Sequence, residues 1–157
     1  MEITDPRGQA DLLRSWKAGR IIMRNGRLAK ICRRRWAAPA SVARVWFQSR
    51  FRRGAGDECI LDYHSPRIGG FVVLDYIRSE PGTQFKTFRG ACQVLDEIAK
   101  RREAVAILAH VSTDAISDRL LLRWGWQRHA AHLNGRHWIK RFYQGYPNID
   151  LDRYLPV

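Results

Sequence analysis

Two continuous apolar runs, Phe71-Val72-Val73-Leu74 and Val105-Ala106-Ile107-Leu108, bracket one long amphipathic segment, and this arrangement limits the fold more than any other feature. Runs without polar alternation read as strands covered on both faces, at the centre of a sheet. Gly69 to Ile77 is therefore expected as one central strand and Ala104 to Val111 as a second. Between them Phe85, Phe88, Cys92, Leu95 and Ile98 or Ala99 recur at helical spacing, opposite Lys86, Arg89, Gln93, Asp96 and Lys100. That spacing predicts a helix over Phe85 to Arg102. A short helix follows, with Thr113 or Ser117 as its N-cap and Gly125 of Trp124-Gly125-Trp126 as its stop. Asn134-Gly135 then marks a two-residue hairpin turn, which sets Leu133 opposite Arg136 and His132 opposite His137.

The first third is less patterned. Residues 8 to 18 carry Leu12, Leu13 and Trp16 on one helical face before Gly19 breaks it. Asn25-Gly26 joins two short strands, Arg20 to Arg24 and Arg27 to Ile31, in a second hairpin. Pro39 and Ser41 open a helix expected to run through Arg50 or Phe51. Arg52 to Gly56 reads as a basic loop and Glu58 to Tyr63 as a strand, while Pro147 to Val157 is expected as a tail.

With 157 residues, 45% of them hydrophobic and six Trp, the chain has material for one core without metal or disulfide staples. Its net charge of +13 implies attraction to an anionic partner, such as nucleic acid or a phosphorylated small molecule. Cys32, Cys59 and Cys92 are scattered singly, which fits a reducing, cytoplasmic setting better than a disulfide framework. No secretory signal and no membrane-spanning apolar run is visible.

Strand, long helix, strand, short helix closing on Gly-aromatic, then hairpin resembles the C-terminal half of the GNAT acyl-coenzyme A-dependent N-acyltransferases. The phrases that carry the resemblance are Val94-Leu95-Asp96-Glu97-Ile98-Ala99, Asp118-Arg119-Leu120-Leu121-Leu122-Arg123-Trp124-Gly125-Trp126 and Ile139-Lys140-Arg141-Phe142, within residues 68 to 143. It implies an α/β (α+β) fold in one domain, with a mixed, mostly antiparallel central sheet flanked by helices. Residues 1–56 would form a divergent basic part, 57–146 the coenzyme-binding core and 147–157 the tail. It also implies acetyl-coenzyme A or another acyl-coenzyme A as co-substrate, bound where the two central strands splay.

In that family a pyrophosphate rests on the start of the long helix, where unpaired N–H groups and the positive dipole end meet an anion. The family motif, Arg/Gln-x-x-Gly-x-Gly/Ala, falls on Lys86-Thr87-Phe88-Arg89-Gly90-Ala91. Lys86 keeps a charged donor, Ala91 fits, and Arg89 replaces the first Gly, where it puts a side chain in place of close backbone approach. Many relatives carry a Tyr four residues before the Gly that ends the short helix, as a general acid; here Leu121 occupies it. The resemblance gives Lys86, Arg89, Gly90, Ala91, Leu108 and Ala109 as coenzyme-binding residues.

Proton chemistry would fall to Asp62, Asp75, His64 or His110 near strand ends, with Asp114 near the family's frequent Asn. His110, Asp75 and Asp114 are taken as the catalytic candidates, His110 first because ligand clefts form at the C-terminal ends of central strands. His129, His132 and His137 fall on the hairpin without a Cys or Asp to complete a ligand set, so no metal is expected.

The expected activity is acyl transfer from a coenzyme A thioester to an amine. The alternative is a catalytically lost nucleic-acid- or ribosome-binding module, or a base-modifying enzyme of the same fold. Arg33, Arg34, Arg35, Arg52 and Arg53, interleaved with Trp36, Trp46 and Phe51, would be its docking surface. Either form would be a monomer or homodimer away from any membrane.

Overall fold

The structure, a computed structural model, describes residues 1–35, 56–111 and 116–156. The helix expected from Pro39 or Ser41, the pair Arg52 and Arg53, and Asp114 lie outside the described residues. In chain order the elements are β1 (Glu2–Ile3), α1 (Ala10–Ser15), β2 (Ala18–Arg24), β3 (Arg27–Arg33), β4 (Glu58–His64) and β5 (Phe71–Ser79). Then come α2 (Phe85–Arg101), β6 (Ala106–Val111), α3 (Asp118–Arg123), β7 (Gln127–Arg128), β8 (Arg136–Arg141) and a 3-10 turn (Leu151–Arg153).

The strands form one eight-stranded mixed sheet in the order β1-β3-β2-β4-β5-β6-β8-β7, flanked by helices. Among the described residues its one parallel pair is β5 and β6, the strands of the two apolar runs; α2 is the crossover that a parallel connection needs. The Asn25-Gly26 hairpin forms as expected, with Arg24 opposite Arg27 and both turn residues at positive φ (51° and 76°).

Period-two alternation sorts β2 and β4 into two faces. Ile21, Met23, Cys59, Leu61 and Tyr63 are fully buried in one core with Val94, Ile98 and Ala91 of α2. Gly19 is required there, because a Cβ would lie 2.5 Å from the Tyr63 hydroxyl. Arg20, Asp62 and His64 alternate with these residues and fall on the other face.

Two expectations are corrected. Asp96, assigned to the polar side of the long helix, is buried and ion-paired to Lys140 of β8 at 2.6 Å. The wide burial of α2, from Val94 through Ala99, brings that side against β8 rather than water. The terminal hairpin is also wider than two residues: β7 sets Arg128 opposite Trp138, and residues 129–135 connect the strands. A turn closed by the Leu133 N–H to the Ala130 carbonyl, with Ala130 at φ 49°, precedes Asn134. On the hairpin side His137 accepts from the His129 N–H instead of lying opposite His132, and on its other edge it faces His110 of β6.

The tail is tied down. The Leu28 N–H donates to the Tyr154 carbonyl, Arg27 donates to the Leu155 carbonyl, and the Tyr154 ring lies over Gly90. No helix among the described residues is long and apolar enough to cross a membrane.

Candidate active site

The parallel register runs from Phe71↔Ala106 to Leu74↔Ala109 and stops. Beyond it β5 continues against β4 as far as Ser79, while β6 continues against β8 as far as Val111. The two central strands part at this point, and their facing edges lose their ladder partners. The divergence coincides with a bulge: Asp62 pairs with Tyr76 and Tyr63 with Leu74, leaving Asp75 as the extra residue.

A cleft of about 640 Å³ fills the gap. Leu74 to Ile77 form one wall, Ala109 to Val111 the other, and Ile116 and Leu120 close the side toward α3. Phe85 and Phe88, from the first turn of α2, sit at its mouth. Both rings meet Trp124 of α3, at centroid distances of 5.7 and 5.6 Å, and Phe85 remains 56% exposed. A mainly apolar trench that also carries polar groups, here Asp75, Glu80 and His110 among them, at a sheet switch point is the usual form of a small-molecule site.

The outer wall is held by charge. Ser117 caps α3 by accepting from the Leu120 N–H, and Asp118 takes Arg128 (2.8 Å) and Arg136, which also donates to the Ile116 carbonyl at 2.7 Å. The hydrogen bond from Arg136 holds the Asp118 carboxyl below its ordinary value. Leu121 is buried in the core and lends the cleft no proton donor.

The expected pyrophosphate residues divide by face. Lys86 and Arg89 are exposed, and the Lys86 stem crosses the Gly26 turn. Gly90 and Ala91 are buried: a Cβ on Gly90 would lie 2.7 Å from the Met23 methyl and 2.9 Å from the Tyr154 ring. Gly90 thus serves close packing of helix on sheet. At the helix start the Asp57 carboxylate accepts from the Gln84 N–H and the Thr87 hydroxyl, both at 2.8 Å, so a protein anion already occupies part of that terminus.

The catalytic candidates separate likewise. His110 lines the cleft and stacks on His137 at 4.4 Å, with Gly135 (φ 98°) so close that a Cβ would lie 2.5 Å from His110 Nε2. Leu108 is still in register with Val73, inside the paired region, whereas Ala109 is the last registered residue before the gap.

Asp75 lines the cleft wall with its side chain only 8% exposed. One oxygen meets His64 Nδ1 at 2.5 Å and the other accepts from Arg34 at 3.0 Å. Asp62, with no exposed surface, accepts a bidentate pair from Arg20 (2.7 and 2.8 Å) and lies 3.6 Å from Arg34 Nε. Arg34, expected on a basic surface, is thus turned into this network, while Arg33 and Arg35 stay exposed.

Sequence reasoning did not find this assembly, nor the Phe85–Trp124–Phe88 ring cluster. The i, i+2 spacing of Asp62 and His64 on a strand was the available signal for the first. Among the described residues no group of His, Cys, Asp and Glu could hold a metal ion.

No family model and no curated protein matches the chain. Among solved structures, the ribosomal-protein-S18-alanine N-acetyltransferase from Escherichia coli aligns with it at 14% identity, over 66% of this chain and 75% of that one. The TM-score is 0.42, too low to place the two chains in one family.

Proposed function

We propose that this chain is a divergent GNAT-type N-acyltransferase, one domain that moves an acyl group from a coenzyme A thioester to an amine. The observation that carries the reading is the cleft opening where β5 and β6 part, beside the start of the crossover helix. The resemblance drawn from residues 68 to 143 requires a gap at that place, between those two strands.

In this reading the pantetheine arm lies along Leu74, Phe88, Ala109, Ile116 and Leu120. The thioester carbonyl meets the cleft-edge backbone N–H of His110, an electrostatic contribution of the oxyanion-hole kind; the Ala109 N–H, one residue out of phase, faces β8. Lys86 and Arg89 supply charge to the pyrophosphate, a role that side chains take here because Gly90 and Ala91 face the core and Asp57 holds part of the helix start. His110 and Asp75 are the proton-handling candidates at the splay, and the resemblance adds Asp114, outside the described residues. The amine attacks the thioester directly, so no covalent enzyme intermediate is needed.

Calorimetric titration of acetyl-coenzyme A and coenzyme A tests the reading. Micromolar binding is expected, weakened at least tenfold by Arg89→Glu and abolished by Leu120→Trp, which fills the trench. Absence of binding to a well-folded sample overturns it.

The net charge and the exposed Arg33 and Arg35 favour a second reading, contact with nucleic acid. A steep fall of RNA or DNA affinity with salt, reduced by Arg33→Ala with Arg35→Ala, is its test.

A further inference from the structure

The Asp75 carboxylate is doubly engaged, and that decides which neighbour can take a proton. Its two oxygens face Arg34 and His64 Nδ1. A carboxylate only accepts hydrogen bonds, so the proton in the His64 contact sits on Nδ1, and in the neutral ring Nε2 carries the lone pair. Among the described residues nothing bonds Nε2, and the His64 side chain is 25% exposed.

The position matters as much as the pairing. Asp75 is the bulge residue at the point where the central strands separate, and it forms part of the cleft wall. His64 ends the neighbouring strand and lies within one hydrogen bond of that wall. An acid that orients an imidazole, with the second ring nitrogen open, is the arrangement of a general base and its positioning residue.

We propose that His64, oriented by Asp75, is the proton acceptor of this cleft, with Asp75 a positioning residue rather than the base itself; this rests on the acyltransfer reading above. The acceptor arrives as an ammonium ion and gives one proton to His64 Nε2, directly or through one water. The freed amine nitrogen forms the C–N bond to the thioester carbonyl carbon. The C–S bond breaks, the thiolate takes the second amine proton, and the imidazolium returns its proton to solvent. The balance is ammonium plus thioester giving amide, thiol and one released proton.

Two measurements test this separately from coenzyme binding. Long-range proton–nitrogen NMR of the ring nitrogens should show His64 as the Nδ1–H tautomer at neutral pH, with that tautomer lost in Asp75→Asn. An Nε2–H tautomer in the wild type overturns the dyad whether or not acetyl-coenzyme A binds. Second, His64→Gln can still donate a hydrogen bond to Asp75 but is no base. Its acetyl-coenzyme A affinity should stay within about twofold, while aminolysis with ethanolamine as probe amine falls roughly 100-fold. The acidic limb of its rate–pH profile should also disappear. His64→Gln retaining rate and limb overturns the assignment. Failure of the wild type to bind acetyl-coenzyme A overturns the acyltransfer reading and the reaction step with it, and leaves the tautomer result to judge the dyad.

Discussion

The two faces of strand β4 are built from alternate residues and do different things. Leu61 and Tyr63 look into a core under α2 packed with apolar side chains, where shape decides what fits. Asp62 and His64, one residue out of phase, join Arg20, Arg34 and Asp75 in a network of charges. The first face holds the sheet against its crossover helix. The second fixes the bulge that parts β5 from β6. One strand thus separates stability from the candidate chemistry by nothing more than its period of two.

The sharpest way to break that division is at the buried Asp96–Lys140 ion pair beneath α2. Lys140→Met leaves the Asp96 carboxylate buried without its partner, and chemical denaturation should show a loss of about 3–5 kcal/mol. Burial holds the Asp96 carboxyl above its ordinary value despite Lys140. The stability linked to this group is present below the ordinary carboxylate range and lost as pH rises through the raised value. The variant should therefore regain part of its loss on mild acidification, which a pH series of denaturation midpoints would read.

Leu61→Ala comes next, at about 2–4 kcal/mol by the same measurement. Affinity for acetyl-coenzyme A should be unchanged in whatever fraction remains folded. An affinity loss in that variant would mean the two faces are not separable.

Gly90→Ala is expected to cost about 1–3 kcal/mol, since the added methyl meets Met23 and the Tyr154 ring. Faster hydrogen exchange in the tail should accompany it. Lost coenzyme affinity at full stability would instead return Gly90 to a phosphate-binding role. The smallest effect concerns the apolar face alone: burial pushes the Cys59 thiol up to about 11, so iodoacetamide at pH 8 should modify it far more slowly than Cys32. Mass-spectrometric peptide mapping checks this.

Much of the fold was legible because hydrophobic period reports burial. The continuous runs gave the two central strands, helical spacing gave α2, and Asn25-Gly26 gave a hairpin whose register is local to its turn. The terminal hairpin misled for a physical reason: Asn134-Gly135 resembles a tight turn, yet Gly135 is there to admit His110. Asp96 misled because a buried ion pair looks polar in a sequence and is completed by Lys140, 44 residues away. The cleft itself was expected at the splay, and Asp62, Asp75 and His64 were named as candidates near strand ends, but their joining with Arg20 and Arg34 in one network was not expected. Asp75 meets His64 and Arg34 only through a bulge and a cross-sheet approach, and neither leaves a periodic trace.

The most direct test of the account is amide chemical-shift mapping during an acetyl-coenzyme A titration. The account predicts perturbations concentrated at Leu74 to Ile77, Ala109 to Val111 and the first turn of α2, with Leu61 and Tyr63 undisturbed. No perturbation in those segments at millimolar ligand, or changes confined to Arg33 and Arg35, would contradict it.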